Sequence, residues 1–122
     1  MAAGKSRTSI WSAQTLTASS ANTNSAVIGL TNTYGSQISI RLTNGATGPT
    51  IAAQVQIVVG NDSTPTLSAN FGGALVGSTG NSAVSYFSVE IPIGVAAVWL
   101  TAGSNTGQNV TVDADISSVT GI

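Results

Sequence analysis

The sequence predicts an all-β protein, an antiparallel sandwich of two sheets built from seven or eight strands. Three observations carry that prediction. Short runs of Val, Ile and Leu recur with a period of two, so alternate side chains fall on opposite faces of an extended chain. Clusters of Gly, Asn and Pro separate those runs, as turns between strands require. Glu, Lys and Met, which favour helices, occur once each in 122 residues, and no 3.6-residue period appears.

Residues 1–8 hold Lys5 and Arg7 without periodicity and read as a flexible N-terminal arm. Residues 9–122 read as a single β-sandwich domain, because a chain of this length fills one two-layer core and not two. A first strand is expected over Thr8–Leu16, with Ile10 or Trp11 turned inward. After a polar loop, Ala26, Ile28 and Leu30 alternate with smaller residues. Ile38, Ile40 and Leu42 then share one face of the clearest strand, opposite Gln37, Ser39, Arg41 and Thr43. Asn44-Gly45-Ala46-Thr47-Gly48-Pro49 is a turn signal, because Asn-Gly and Gly tolerate positive φ. The next strand places Ile51, Ala53, Val55, Ile57 and Val59 inward and Ala52, Gln54 and Gln56 outward. A hairpin between these two strands is expected.

Residues 60–80 are loop-rich, with room for one or two short strands around Leu67 and Ala74-Leu75-Val76. The stretch Ala83–Ile91 has β-formers on both faces, Val84 and Tyr86 against Phe87, Val89 and Ile91, which predicts a central strand. In Val95–Thr101, Val98 and Leu100 oppose Trp99. A turn at 103–107 leads to a last strand with Val110, Val112, Ala114 and Ile116 inward and Thr111, Asp113 and Asp115 outward. Short strands at this spacing fit a jelly-roll or an immunoglobulin-like sandwich.

Charge is scarce. Lys5, Arg7, Arg41, Asp62, Glu90, Asp113 and Asp115 make up 6% of the chain, against roughly 25% in ordinary soluble domains. Charge keeps soluble monomers apart and blunts the open edges of sheets. A surface so poor in it is expected to lie against neighbours. The outward residues Lys5, Arg7, Arg41, Gln54 and Gln56 are the expected contact points.

Several chemistries are excluded on residue type. With three cations and a net charge of −1, no phosphate-binding surface for nucleic acid can be assembled. The chain has no His and no Cys, so the commonest general base, the thiolate nucleophile and the usual zinc ligands are missing. No Gly-x-Ser-x-Gly elbow occurs. Asp113 and Asp115, with Cα atoms roughly 6.5 Å apart on one strand face, are the remaining carboxylate pair. They would suit acid–base or calcium chemistry, against the ordinary reading of a solvated strand face. No catalytic residue, metal site or cofactor is therefore expected. Trp11, Tyr34, Tyr86 and Trp99 are candidates for stacking on sugar rings, set against simple packing in a core or interface. The longest apolar run falls far short of the roughly 20 residues of a membrane helix. The N-terminus lacks the apolar core of a secretion signal. The expectation is a chain made in the cytoplasm with no membrane partner.

Two stretches resemble a known family. Residues Ile38-Ser39-Ile40-Arg41-Leu42-Thr43-Asn44-Gly45-Ala46-Thr47-Gly48-Pro49-Thr50 form one, and Ser88-Val89-Glu90-Ile91-Pro92-Ile93-Gly94 with a Val95–Ile116 hairpin form the other. Over roughly residues 8–118 they resemble the small β-sandwich structural proteins of tailed-bacteriophage virions, in particular capsid decoration or cement proteins. That resemblance implies a non-enzymatic subunit on the outer capsid surface. It would bind the major capsid protein of an assembled shell, often as a trimer, and reinforce the shell. The alternative is a phage tail or host-recognition module binding cell-surface carbohydrate.

Overall fold

A computed structural model describes residues 4–61 and 67–121. Among them are ten strands: β1 (Gly4–Leu16), β2 (Thr23–Asn24), β3 (Ile28–Gly29), β4 (Ser36–Asn44), β5 (Gln54–Gly60), β6 (Ser68–Asn70), β7 (Leu75–Val76), β8 (Val84–Ile91), β9 (Ala97–Gly103) and β10 (Val110–Gly121). The expected sandwich is present, with ten strands in place of seven or eight because two of its segments are each broken into short pairs. One sheet runs β1-β10-β4-β8. The other runs β2-β9-β5-β6, with β3 also on β9 and β7 also on β5. All pairings are antiparallel.

The alternation read from the sequence identifies the buried faces well. Ile38, Ile40 and Leu42 on β4 meet Val55 and Ile57 on β5, with Val98 and Leu100 on β9 and Val110, Val112 and Ile116 on β10, in one core. Trp11 and Leu16 of β1 close it at one side.

Partners are another matter, and three expectations fail. β4 and β5 do not form a hairpin: β4 pairs with β10 and β8, whereas β5 lies in the opposite sheet beside β9. The Val95–Ile116 hairpin fails likewise, since β9 and β10 belong to different sheets. A period of two reports which face is buried, and two strands facing each other across a core satisfy it as well as two neighbours do. The Asn44-Gly45 signal is permissive rather than binding. Neither residue has positive φ; instead Asn44 Nδ2 donates to the carbonyls of Ser78 (2.8 Å) and Gly80 (2.9 Å). Ile51 is consequently 53% exposed and Ala52 buried, the reverse of the expected pattern. Third, β8 is an edge strand and not a central one, leaving Val84 and Tyr86 exposed.

The first strand also begins earlier than Thr8. Gly4–Thr8 belong to β1 and pair with the end of β10, so Lys5 and Arg7 lie in the sheet rather than on a free arm. Residues 1–3 and Asp62 lie outside the described residues. β1 is irregular, with register shifts against β10 on both sides of Trp11.

The crossing loops hold one another. Thr50 N–H donates to Thr106 O at 2.8 Å and Thr106 N–H to Ile51 O at 3.2 Å. Buried Asn105 donates from Nδ2 to Leu16 O and Gln108 O, both at 2.9 Å, tying the end of β1 to this corner. Gly48 sits against the 78–82 turn so closely that a Cβ there would come within 2.0 Å of Thr79 O. Gly45 has open space around it, its nearest neighbour being 4.0 Å away.

Three substitutions test this corner. Gly48→Ala must push two backbone segments apart and should cost more than about 2 kcal/mol in denaturant unfolding. Gly45→Ala in the same assay should stay within about 0.5 kcal/mol of wild type. Asn105→Ala strips the buried Leu16 carbonyl and the partly buried Gln108 carbonyl of their donor and should cost about 1–3 kcal/mol, seen as a lowered midpoint with unchanged m-value.

Candidate functional site

The outer face of the four-stranded sheet carries most of the chain's charge. Its side chains form rungs across the strands, because outward residues of paired strands stand opposite each other. One rung is Tyr86–Arg41–Asp113. The next is Ser88–Ser39–Asp115–Ser9, and the third is Glu90–Gln37–Ser117–Arg7.

Two ion pairs cross these rungs. Arg41 Nη2 lies 3.0 Å from Asp113 Oδ2. Arg7 donates from Nε to Asp115 Oδ2 at 2.9 Å, and its Nη2 contacts the same oxygen. Gln37 Nε2 donates to Ser88 Oγ. Asp113 has a further task. The irregularity in β1 gives Ala13 a φ of 49° and withdraws its N–H from the ladder. Asp113 Oδ1 accepts that N–H at 2.8 Å.

That amide is the main reason the Asp113 carboxyl is held below its ordinary value of 3.8, with Arg41 adding to it against a smaller desolvation penalty. In return Asp113 raises Arg41 above its usual range, mainly through their hydrogen bond. Asp113 and Asp115 are thus each occupied by a guanidinium. Among the described residues no three His, Cys, Asp or Glu converge as metal ligands. No helix is long and apolar enough to cross a membrane among these residues.

An open groove of about 640 Å³ runs along this face, lined by Arg7, Arg41, Asp113, Asp115 and Tyr86 with the serines between them. A second, of about 610 Å³, lies at the far end of the same sheet and is lined by Lys5, Tyr34, Glu90 and Ile93 among others. The expected contact residues are therefore split. Lys5, Arg7 and Arg41 belong to the four-stranded sheet, whereas Gln54 and Gln56 lie on β5 in the other. Gln56 Nε2 is turned onto backbone carbonyls of Ile57 and Gly72. Of the aromatics, Trp11 is core, Trp99 is half-buried on β9, and Tyr34 (47%) and Tyr86 (73%) stand exposed. The pairing of the two arginines with Asp113 and Asp115 was not foreseen from sequence. Its signal was there: two outward aspartates on one strand of a chain with few charges demand partners close by.

No protein-family model matches this sequence, and no curated protein matches it. Solved structures share the fold. The SPBc2 prophage-derived protein YomS superimposes with a TM-score of 0.54 over 97% of this chain and 96% of its own, at 13% identity. A chain of infectious bursal disease virus, Gx strain, gives a TM-score of 0.57 over 97% of this chain and 32% of its own, at 9% identity. Tripeptidyl peptidase 2 gives a TM-score of 0.53 over 95% of this chain but 10% of its own, at 7% identity. The present chain thus spans about a third of the viral chain's length and nearly all of YomS. At identities this low the likeness is one of fold alone.

Because Asp113 is depressed in the folded state, its contribution to stability is present above the unfolded pKa of roughly 3.9 and lost as pH falls through the folded value. Thermal midpoints should be flat from about pH 5 to 8, the chain having no His, and fall in acid. Asp113→Asn should lower the midpoint at pH 7 and shrink the difference between pH 7 and pH 3.

Proposed function

We propose that this chain is a non-enzymatic structural subunit of a phage or viral particle, a decoration or cement protein that binds an assembled shell as a homo-oligomer. The observation that carries the proposal is the surface. Large apolar side chains stand in solvent, Leu67 at 72%, Ile93 at 66% and Ile51 at 53% exposed, on a chain that is 6% charged. Such side chains on so neutral a surface fit contact with other subunits better than a solitary life in water.

The strand order supports the same reading. Sheets ordered β1-β10-β4-β8 and β2-β9-β5-β6 fit a jelly roll in which two strands are broken, an architecture used in viral coats as well as in lectins. The likeness to a prophage-derived protein over nearly its whole length and to part of a viral chain supports it by analogy of fold. A surface of Ser, Thr, Asn and Gln makes uncharged hydrogen bonds at lower desolvation cost than ions, and with little sensitivity to salt.

The two faces divide the work. Gln54 and Gln56, on the six-stranded sheet, face the shell's major capsid protein. Lys5, Arg7 and Arg41, on the opposite sheet, are turned outward or toward sister subunits, with a trimer the expected assembly.

The test is sedimentation with particles from the source that encodes the chain. Added protein should pellet with particles stripped of it, and Gln54→Asp with Gln56→Asp should stay in the supernatant while the thermal midpoint holds. Native mass spectrometry should show an oligomer. A monomer that pellets with no particle refutes the proposal.

A further inference from the structure

The charge of this molecule is not spread over its surface. Of its seven charged residues, Arg7, Arg41, Asp113 and Asp115 line one groove on the four-stranded sheet. We infer that this groove, walled by the exposed ring of Tyr86, is a binding site for a neutral carbohydrate.

Three observations lead there. The first is neutrality. Each guanidinium is already held by a carboxylate, so the groove has no net charge. A phosphate or sulfate would have to displace an aspartate, and a metal cation would have to displace an arginine. A neutral polyol displaces neither.

The second is donor and acceptor density. An arginine has five N–H donors; Arg41 commits Nη2 to Asp113 and Arg7 commits Nε and Nη2 to Asp115 Oδ2. The remaining N–H groups, with Asp115 Oδ1 and the hydroxyls of Ser9, Ser39 and Ser88 on the neighbouring rung, can meet ligand hydroxyls in both directions. Ion pairs hold these groups in place before the ligand arrives, so less freedom is lost on binding.

The third is the aromatic wall. Tyr86 is 73% exposed on an edge strand, where a large ring contributes nothing to the core. It stands opposite Arg41, so a ring stacked on its face would have its rim hydroxyls over the charged rungs. A groove of about 640 Å³ lies within the roughly 300–1,000 Å³ typical of small-ligand sites. The second groove has an aromatic as well, Tyr34, but lacks the paired charges. The inference stands apart from the proposed particle role, since a free subunit would bind equally well.

Saturation-transfer and amide-shift NMR on the intact chain test it, with neutral trisaccharides of glucose, galactose, mannose and N-acetylglucosamine as probes. At least one should bind, shifting the amides of Tyr86, Ser39 and Ser88 in the wild-type chain without need of any variant. Tyr86→Ala should weaken that binding by about tenfold, Arg41→Gln should weaken it several-fold, and Tyr34→Ala should leave it unchanged. The inference is overturned if none of the four sugars binds. It is overturned equally if shifts map to the Tyr34 groove, or if sulfated or sialylated forms bind better than neutral ones.

Discussion

The last strand holds the molecule closed. β10 lies between β1 and β4, so within this sheet β1 is joined to the other strands only through it. Its inward residues Val110, Val112, Ala114 and Ile116 are each at most 2% exposed, and its outward residues Asp113 and Asp115 hold the arginines of the two flanking strands. No two strands adjacent in sequence are neighbours in this sheet. Every one of its pairings therefore closes a long loop before it is rewarded, which sets a slow folding rate for a chain of this size.

The charge economy follows from that centre. A sheet face covered by Ser, Thr and Gln needs few ions, and four of those present are concentrated where β10 can pair them. Exposed pairs of this kind add little to stability. Their value lies in fixing side-chain positions on an otherwise soft polar face. The Asp113 carboxylate does more, because it also satisfies the Ala13 amide that the irregular β1 releases.

The sequence disclosed faces and concealed partners. Ile38, Ile40 and Leu42 announced their burial by alternation, as did Val110, Val112 and Ile116, and both sets lie in the core. Nothing in that pattern distinguishes a neighbour within a sheet from a strand facing across the core, so Asn44-Gly45 reads as a hairpin turn where the chain in fact crosses between layers. The nine-residue span between β4 and β5 was the available hint, since hairpin loops usually run to five residues or fewer. Tyr86 and Phe87 on opposite faces suggested a strand buried on both sides. Position at the edge is a property of the whole sheet and leaves no mark on the eight residues themselves. The groove was legible only in part, because the separation of its four charged residues along the chain hides their meeting on adjacent strands.

The two borders of the four-stranded sheet differ in kind. β1 is broken by bulges beside Trp11, and bulges twist a border away from any would-be addition. β8 pairs with β4 in unbroken register from Ser36↔Ile91 to Thr43↔Val84, so it offers a straight row of free peptide groups on its other side. Of the two borders of this sheet, β8 is thus the one open to an added strand, and β1 is the one that resists it.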